Sequence, residues 1–281
     1  MISIIICSRK SVIPEELEFN ISSTIGVSYE CIIIDNSQNN HTIFSAYNEG
    51  VRRAKYHYLC FMHEDILFHT VNWGKRVVEH FENKKVGLIG VIGSHYMPNC
   101  PASWWSTECR SGQIIQGQIE NNNYSTNLFE WNRNNTDKSE SIEVVTVDGL
   151  WFCMPKEIFD NISFDEITYS GFHCYDTDIC FQTQNIGYLV KVVFDILIEH
   201  KSYGNQDQRF FDERIKCFEK WSELLPVIKG ITLSDVEIYD REQFVIEINK
   251  ELSRRLKVEN ELYKVRLSRA YRIGKKIVKI F

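Results

Sequence analysis

No two of the nine cysteines stand in CxxC spacing, which argues against a structural zinc site. Their odd number and scattered places fit reduced thiols of a cytoplasmic protein better than a disulfide framework. No run of about 18 apolar residues occurs, so no membrane span is expected. The apolar start, residues 1–7, is short, lacks a basic lead-in and runs at once into Ser8-Arg9-Lys10. It reads as a buried first strand, not a signal peptide. Nor is there a strong excess of one charge. The formal net charge of -6 is too mild to point to a nucleic-acid partner. What is present is ordinary for a globular protein: 43% hydrophobic and 25% charged over 281 residues, enough to close a sizeable core.

Apolar runs with almost no polar interruption lie at residues 2–7, 31–34, 58–62 and 86–92. Such runs predict strands buried on both faces, hence a parallel sheet. Helical patterns fill the gaps at 15–25, 43–55 and 73–83, and this alternation predicts right-handed βαβ units. A nucleotide-binding half is expected over 1–93. Residues 95–140 are rich in Asn, Ser, Thr and Trp with little periodicity, and predict long loops and short strands laid over one face. Strands are expected again at 142–147, 150–154 and 188–198, with a helix over 176–185. The domain reading is 1–205, with an acceptor half over 94–205, followed by a helical extension over 206–281. In residues 254–281 ten Lys or Arg face two acidic residues, Glu259 and Glu261. A basic amphipathic helix of this kind suits an anionic membrane surface, or packs on the domain or on a second subunit as a homodimer contact.

In an open parallel sheet, ligands bind outside the carboxyl ends of the strands. Ser8-Arg9-Lys10 follow the first strand, Asp35-Asn36-Ser37 the second and His63-Glu64-Asp65 the third. Asp35 can accept hydrogen bonds from a ribose or a base edge, or merely cap the next helix. Glu64 and Asp65 set two carboxylates beside an imidazole at the end of a buried strand. Mg2+ or Mn2+ often takes one or two protein carboxylates plus phosphates, and a departing diphosphate needs such a cation to absorb its charge. The plain alternative is a helix cap with a solvated Glu. Asp176 and Asp178 stand where a loop becomes a helix. One can serve as the cap and the other can take a proton from an attacking hydroxyl. His200, after an apolar strand, can complete a metal site or be a simple loop residue. Trp104 and Trp105 in the polar insertion, and Trp151, offer rings for the C–H faces of an acceptor sugar. Trp151 also reads as core, and Asp148 as only the start of an Asp-Gly turn.

The motifs form an ordered series over residues 1–204: Ile-Ser-Ile-Ile-Ile-Cys-Ser-Arg, Ile-Ile-Ile-Asp-Asn-Ser, Tyr47-Asn48-Glu49-Gly50 with Ala54, and Tyr-Leu-Cys-Phe-Met-His-Glu-Asp. Val147-Asp148-Gly149, Tyr-Asp-Thr-Asp-Ile and His200 follow. In this order and spacing the chain resembles glycosyltransferase family 2, with the GT-A fold, and within it the bacterial glycosyltransferase-like branch. The resemblance implies an α/β, GT-A type, Rossmann-like, mostly parallel sheet with helices on both faces; the C-terminal helical extension is read from residues 206–281 themselves. The resemblance also implies that Ser8, Arg9 and Asp35 hold the nucleoside with Glu64 nearby, and that Asn48 and Gly50 support the donor pocket. Asp65 would bind the metal, His200 would complete its site, and Asp176 would be the catalytic base. The implied reaction is an in-line, inverting transfer from a nucleotide sugar, with a UDP-sugar expected, assisted by Mn2+ or Mg2+. The acceptor would be a glycan, lipid-linked or protein hydroxyl, in surface glycan or polysaccharide synthesis at the inner face of the membrane. The sequence departs from the family pattern at three positions: His63 stands for an aspartate, Tyr175 for a glutamate and Gln182 for a basic residue.

Two other readings compete. A non-catalytic nucleotide- or sugar-binding module of the same fold is kept open by His63 and Tyr175. A metal-dependent nuclease or phosphatase would usually need carboxylates for two metals and a basic groove, and neither is evident.

Overall fold

The computed structural model describes residues 1–106, 108–120, 123–131, 140–202, 208–232 and residue 264. The chain divides into two compact units, Met1–Val236 and Glu237–Phe281. Apart from residue 264, the basic segment expected to form an amphipathic helix lies outside the described residues.

In chain order the first strands are β1 (Ile2–Ser8), β2 (Tyr29–Asp35), β3 (Tyr58–Met62), β4 (Ile66–Phe68) and β5 (Val86–Gly90). Next come β6 (Ile92–Ser94), β7 (Tyr96–Met97), β8 (Arg110–Glu120), β9 (Asn123–Trp131) and β10 (Ser141–Glu143). The last are β11 (Thr146–Val147), β12 (Trp151–Pro155), β13 (Leu189–Val193), β14 (Ile198–His200) and β15 (Val227–Ile228). The helices are α1 (Glu15–Thr24), α2 (Ile43–Arg53), α3 (Trp73–His80), α4 (Tyr175–Asn185) and α5 (Gln208–Trp221). Among the described residues the main sheet has seven strands in the order β10-β13-β5-β12-β3-β1-β2, and a second sheet runs β11-β6-β8-β14-β4 with β9 beside β8.

The main sheet explains the uninterrupted apolar runs. Ile4 and Ile6 of β1 enter one core with Trp73 and Trp151, while Ile5 enters the other with Phe44, Tyr47, Phe61 and Phe152. Both faces are buried, so no polar alternation survives. Leu17 and Ile21 of α1 and Trp73 and Val77 of α3 cover the first face; Phe44 of α2 and Ile179 of α4 cover the second. Thr42 and Ser45 form a reciprocal capping box that starts α2. Gly50 lets this helix approach β1, where a Cβ would collide with Ile5.

The structure departs from expectation in several places. The main sheet is mostly parallel, as expected, but not wholly: β1 pairs in parallel with β2 and β3, and β13 with β5, while β12 runs antiparallel to both β3 and β5, and β10 antiparallel to β13. A run buried on both faces reports burial, not direction, so periodicity could not see this. The expected strands 86–92, 142–147 and 188–198 are each split between two sheets, as β5/β6, β10/β11 and β13/β14. The insertion holds a long antiparallel hairpin, β8–β9, in place of loops and short strands. The β9 side chains from residue 123 to 130 are all exposed, so the strand carries no burial period to read. Finally, the first unit runs past residue 205, because α5 is bonded to α4 through Asp178.

Candidate active site

Three strands end at one rim. Ser8 closes β1, opposite Asp35 at the end of β2 in the parallel register. Asp35 is exposed, and its Oδ1 accepts from the Ser37 N–H at 2.9 Å. That bond and the one from the Ser37 side chain hold the carboxyl below its ordinary range. Ser8 is buried and donates its hydroxyl to Glu64. Arg9 is exposed just beyond it.

His63 leaves β3, and Asp65 immediately precedes β4. The partner of β4 is β14, with His200 opposite Ile66, and β8 supports β14 from its other side. This pairing carries His200 across the sequence to Asp65, whose carbonyl accepts the Lys201 N–H at 2.9 Å. Asp65 Oδ1 lies 3.6 Å from His200 Nε2 and 3.9 Å from His63 Nδ1. Its Oδ2 accepts from the Ser202 hydroxyl at 2.5 Å. One donor atom from each of His63, Asp65 and His200 lies within 4.8 Å of the others. Ligand atoms held about 2.0–2.2 Å from one cation sit roughly 3–4.4 Å from each other, and the 3.6 and 3.9 Å separations from Asp65 fall in that range. His63, which breaks the family pattern, is thus brought in as a third donor.

Electrostatics separate the two imidazoles. Burial pushes His63 down, the charge of His200 adds to this, and Asp65, Asp148 and Glu64 oppose it; the net shift is downward. Burial also lowers His200, but the hydrogen bond and charge of Asp65 outweigh it and raise the group. Burial raises Asp65, yet the bonds from His200 and Ser202 and the charges of both histidines hold it well below the usual carboxylate range.

Asp176 lies in the first turn of α4 and is partly exposed. It accepts the Gly149 N–H at 3.0 Å and the Thr177 N–H at 2.8 Å. Burial first, and then the charge of Asp148, push it up to about 7. A carboxylate poised there suits proton exchange at neutral pH. Asp178, the other acidic residue of this turn, is buried and saturated. It accepts from Tyr169, Gln182 and Trp221 and pairs with Lys220 at 2.7 Å. Its task is to tie α5 to α4.

The aromatic candidates separate in the same way. Trp104 donates to Asp148 Oδ2 at 2.9 Å, while Asp148 Oδ1 takes the Leu150 N–H at 2.7 Å. Asp148 therefore holds its own turn and fixes Trp104. Trp105 keeps an exposed part and stacks on Phe210, with centroids 5.7 Å apart. Two expectations are corrected. Trp151 is fully buried, edge-on to Phe68 and Trp73, so it is core and does not reach an acceptor. Asn48 is spent on the chain beyond β12: it bonds both the carbonyl and the N–H of Phe164, at 2.8 and 3.0 Å, and Glu166 at 2.7 Å. A cavity of about 320 Å³ on that side is lined by Asn48, Phe164, Asp165, Gln182 and Lys220, and the metal-site residues are not among its walls.

Sequence reasoning did not foresee the contact between His63 and Tyr175. The Tyr175 hydroxyl lies 2.8 Å from His63 Nε2 and 3.1 Å from the Gly149 carbonyl. The available signal was that His63 and Tyr175 depart from one family pattern together.

A family model described as a glycosyltransferase-like family matches residues 3–221. No curated protein sequence matches the chain. Among solved structures, one of GalNAc-T7 with UDP, GalNAc and Mn2+ is similar at 12% identity with a TM-score of 0.56, over 79% of this chain and 49% of that one. This chain thus spans about half the length of that protein, and the likeness shows a GT-A type fold. A mannosyltransferase, PcManGT from Pyrobaculum calidifontis, in complex with GDP-Man and Mn2+, overlaps at 11% identity and a TM-score of 0.45, over 80% of this chain and 70% of that one. Among the described residues no helix is long and apolar enough to cross a membrane.

Proposed function

This chain belongs to the glycosyltransferase-like family, and from that premise we propose that it moves a sugar from a nucleoside-diphosphate sugar to an acceptor hydroxyl, with inversion. The observation that carries the proposal is the convergence of the His63–Asp65–His200 donor set and Asp176 at the rim where β1 and β2 end in Ser8 and Asp35. Ser8, Arg9, Asp35 and Glu64 bind the nucleoside. His63, Asp65 and His200 hold a divalent cation, which when bound supplies positive charge to a departing diphosphate. Two nitrogens against one oxygen lean from Mg2+ toward Mn2+ or a softer ion, and the GalNAc-T7 structure holds Mn2+ with UDP.

Asp176 accepts the proton of the acceptor hydroxyl as that oxygen attacks the anomeric carbon. The Gly149 and Thr177 N–H groups orient its carboxylate. Trp105, beside Trp104 and Phe210, offers a ring face to the acceptor, and Trp104 with Asp148 supports it. We read residues 1–205 as the core of the catalytic domain. The acceptor is a glycan, lipid-linked or protein hydroxyl; the basic segment 254–281 favours one carried at an anionic membrane surface.

The test is calorimetric titration of UDP, GDP, CDP and ADP into the full chain, with Mn2+ and then with chelator. Metal-dependent binding of one base is expected, with UDP first, followed by transfer assays with its sugars. Binding of no nucleotide would overturn the proposal in favour of a degenerate module of the same fold.

A further inference from the structure

Two of the three side chains that break the family pattern touch each other. His63 stands for an aspartate and Tyr175 for a glutamate, 112 residues apart, and the Tyr175 hydroxyl meets His63 Nε2 at 2.8 Å. The same hydroxyl lies 3.1 Å from the Gly149 carbonyl. A carbonyl only accepts, and the Tyr175 hydroxyl is placed as its donor; with the phenolic proton on that bond, the phenolic oxygen is left to accept N–H from His63 Nε2. A neutral imidazole carries one N–H, so the lone pair then sits on Nδ1. Nδ1 is the nitrogen turned toward Asp65 Oδ1, the atom that His200 Nε2 also approaches. The opposite tautomer would point a proton into the metal site.

We infer that Tyr175 is a positioning residue: it locks His63 as the Nε2–H tautomer, so that Nδ1 can ligate the cation. This role rests on the metal reading above. The geometry around Tyr175 is built for it. Phe44 and Tyr47 stand edge-on to its ring, at interplanar angles of 89° and 79°, and fix where the hydroxyl points. Gly149 must be glycine, because a Cβ would collide with the Tyr175 hydroxyl and ring. The Gly149 N–H holds Asp176, so one residue steadies both the base and, through Tyr175, the metal ligand. Partners of this kind, one step behind a metal ligand, fix ring orientation and tautomer, and their loss typically costs 10–100-fold in metal affinity.

The test counts free Mn2+ by electron paramagnetic resonance in solutions of the full chain without nucleotide. Four proteins are compared: wild type, Tyr175→Phe, His63→Ala and the double variant. Tyr175→Phe should weaken Mn2+ binding by about tenfold, and His63→Ala by at least as much. The double variant should bind no more weakly than His63→Ala, because Tyr175 acts through His63. Equal weakening by Tyr175→Phe in both backgrounds, or none in the wild type, would overturn the positioning role and leave the metal reading standing. A wild type that takes up no Mn2+ would overturn the metal reading and this role with it. A second measurement needs no variant to fold well: imidazole 15N shifts of metal-free wild type report the tautomer directly. His63 protonated on Nε2 is the expected result, and Nδ1–H would overturn the inference.

Discussion

Asp176 and Asp178 stand two residues apart in one helical turn, and their surroundings differ in kind. On an α-helix, positions i and i+2 do not face each other. Asp178 points to the α5 side, is 1% exposed, and is met by Tyr169, Gln182, Trp221 and Lys220. Asp176 points to the rim, accepts from the Gly149 and Thr177 N–H groups, and has the like charge of Asp148 nearby. A carboxylate saturated by four partners works as a fixed anion that binds elements together. One held by backbone donors beside another acid is poised to exchange a proton. The difference lies in the partners, not in the residue type.

The largest effect that sharpens this comparison is expected from Asp176→Asn. Transfer should fall by about 10²–10⁴-fold, with nucleotide affinity close to wild type in calorimetry. Loss of nucleotide binding with it would remove Asp176 from the role of base. The same variant should be more stable than wild type at pH 8. The folded Asp176 holds its proton more tightly than the unfolded chain, with its pKa raised from 3.8 to about 7. Its stabilising contribution is therefore complete below the ordinary pKa and lost as pH rises to 7. Asparagine escapes that loss, so melting curves of the two proteins should coincide near pH 4 and separate toward pH 8.

Asp178→Ala should do the reverse. Lys220 keeps Asp165 and Gln182 keeps the Ser163 carbonyl, but Tyr169 and Trp221 lose their acceptor, at a cost of about 1–3 kcal/mol, read as a lower urea midpoint with an unchanged slope. At a temperature where the variant is folded, kcat should stay within a fewfold of wild type. A variant that melts normally but cannot transfer would break the division between the two acids. A smaller effect is expected in the pH profile. In wild type, kcat should rise with pH through about 7 as Asp176 loses its proton, and Asp178→Asn should leave that inflection in place. The smallest is Trp105→Ala, which should raise the acceptor KM by roughly three- to tenfold, the size of one lost aromatic contact, and leave donor binding unchanged. An altered donor affinity would move Trp105 out of the acceptor site.

Much of the rim was legible without the structure. Apolar runs that stop at Ser8, Asp35 and His63-Glu64-Asp65 mark the carboxyl ends of buried strands, because only a change of environment explains so sharp a change in polarity. The residues alone left Asp176 and Asp178 as alternatives at a helix start, and the family resemblance singled out Asp176. Asn48 and Trp151 were misread for a common reason. Each sits within a functional-looking motif, but the use of a side chain depends on what is packed against it, and Phe164 and Trp73 are far away in sequence. The β8–β9 hairpin was hidden because its outer strand is exposed on both faces and so has no burial period. His63 and Tyr175 were visible as departures, but their contact was not.

From sequence alone came the alternation of buried strands and amphipathic helices, the rim at which the strands end, and the acids and imidazoles delivered there. These follow from local hydrophobic pattern, which each segment carries in itself. The direction of β12, the arrival of His200 beside Asp65, the saturation of Asp178 and the contact between His63 and Tyr175 were decided by tertiary structure. Each depends on a partner tens of residues or more away, and a hydrogen bond constrains two atoms in space however far apart they lie along the chain.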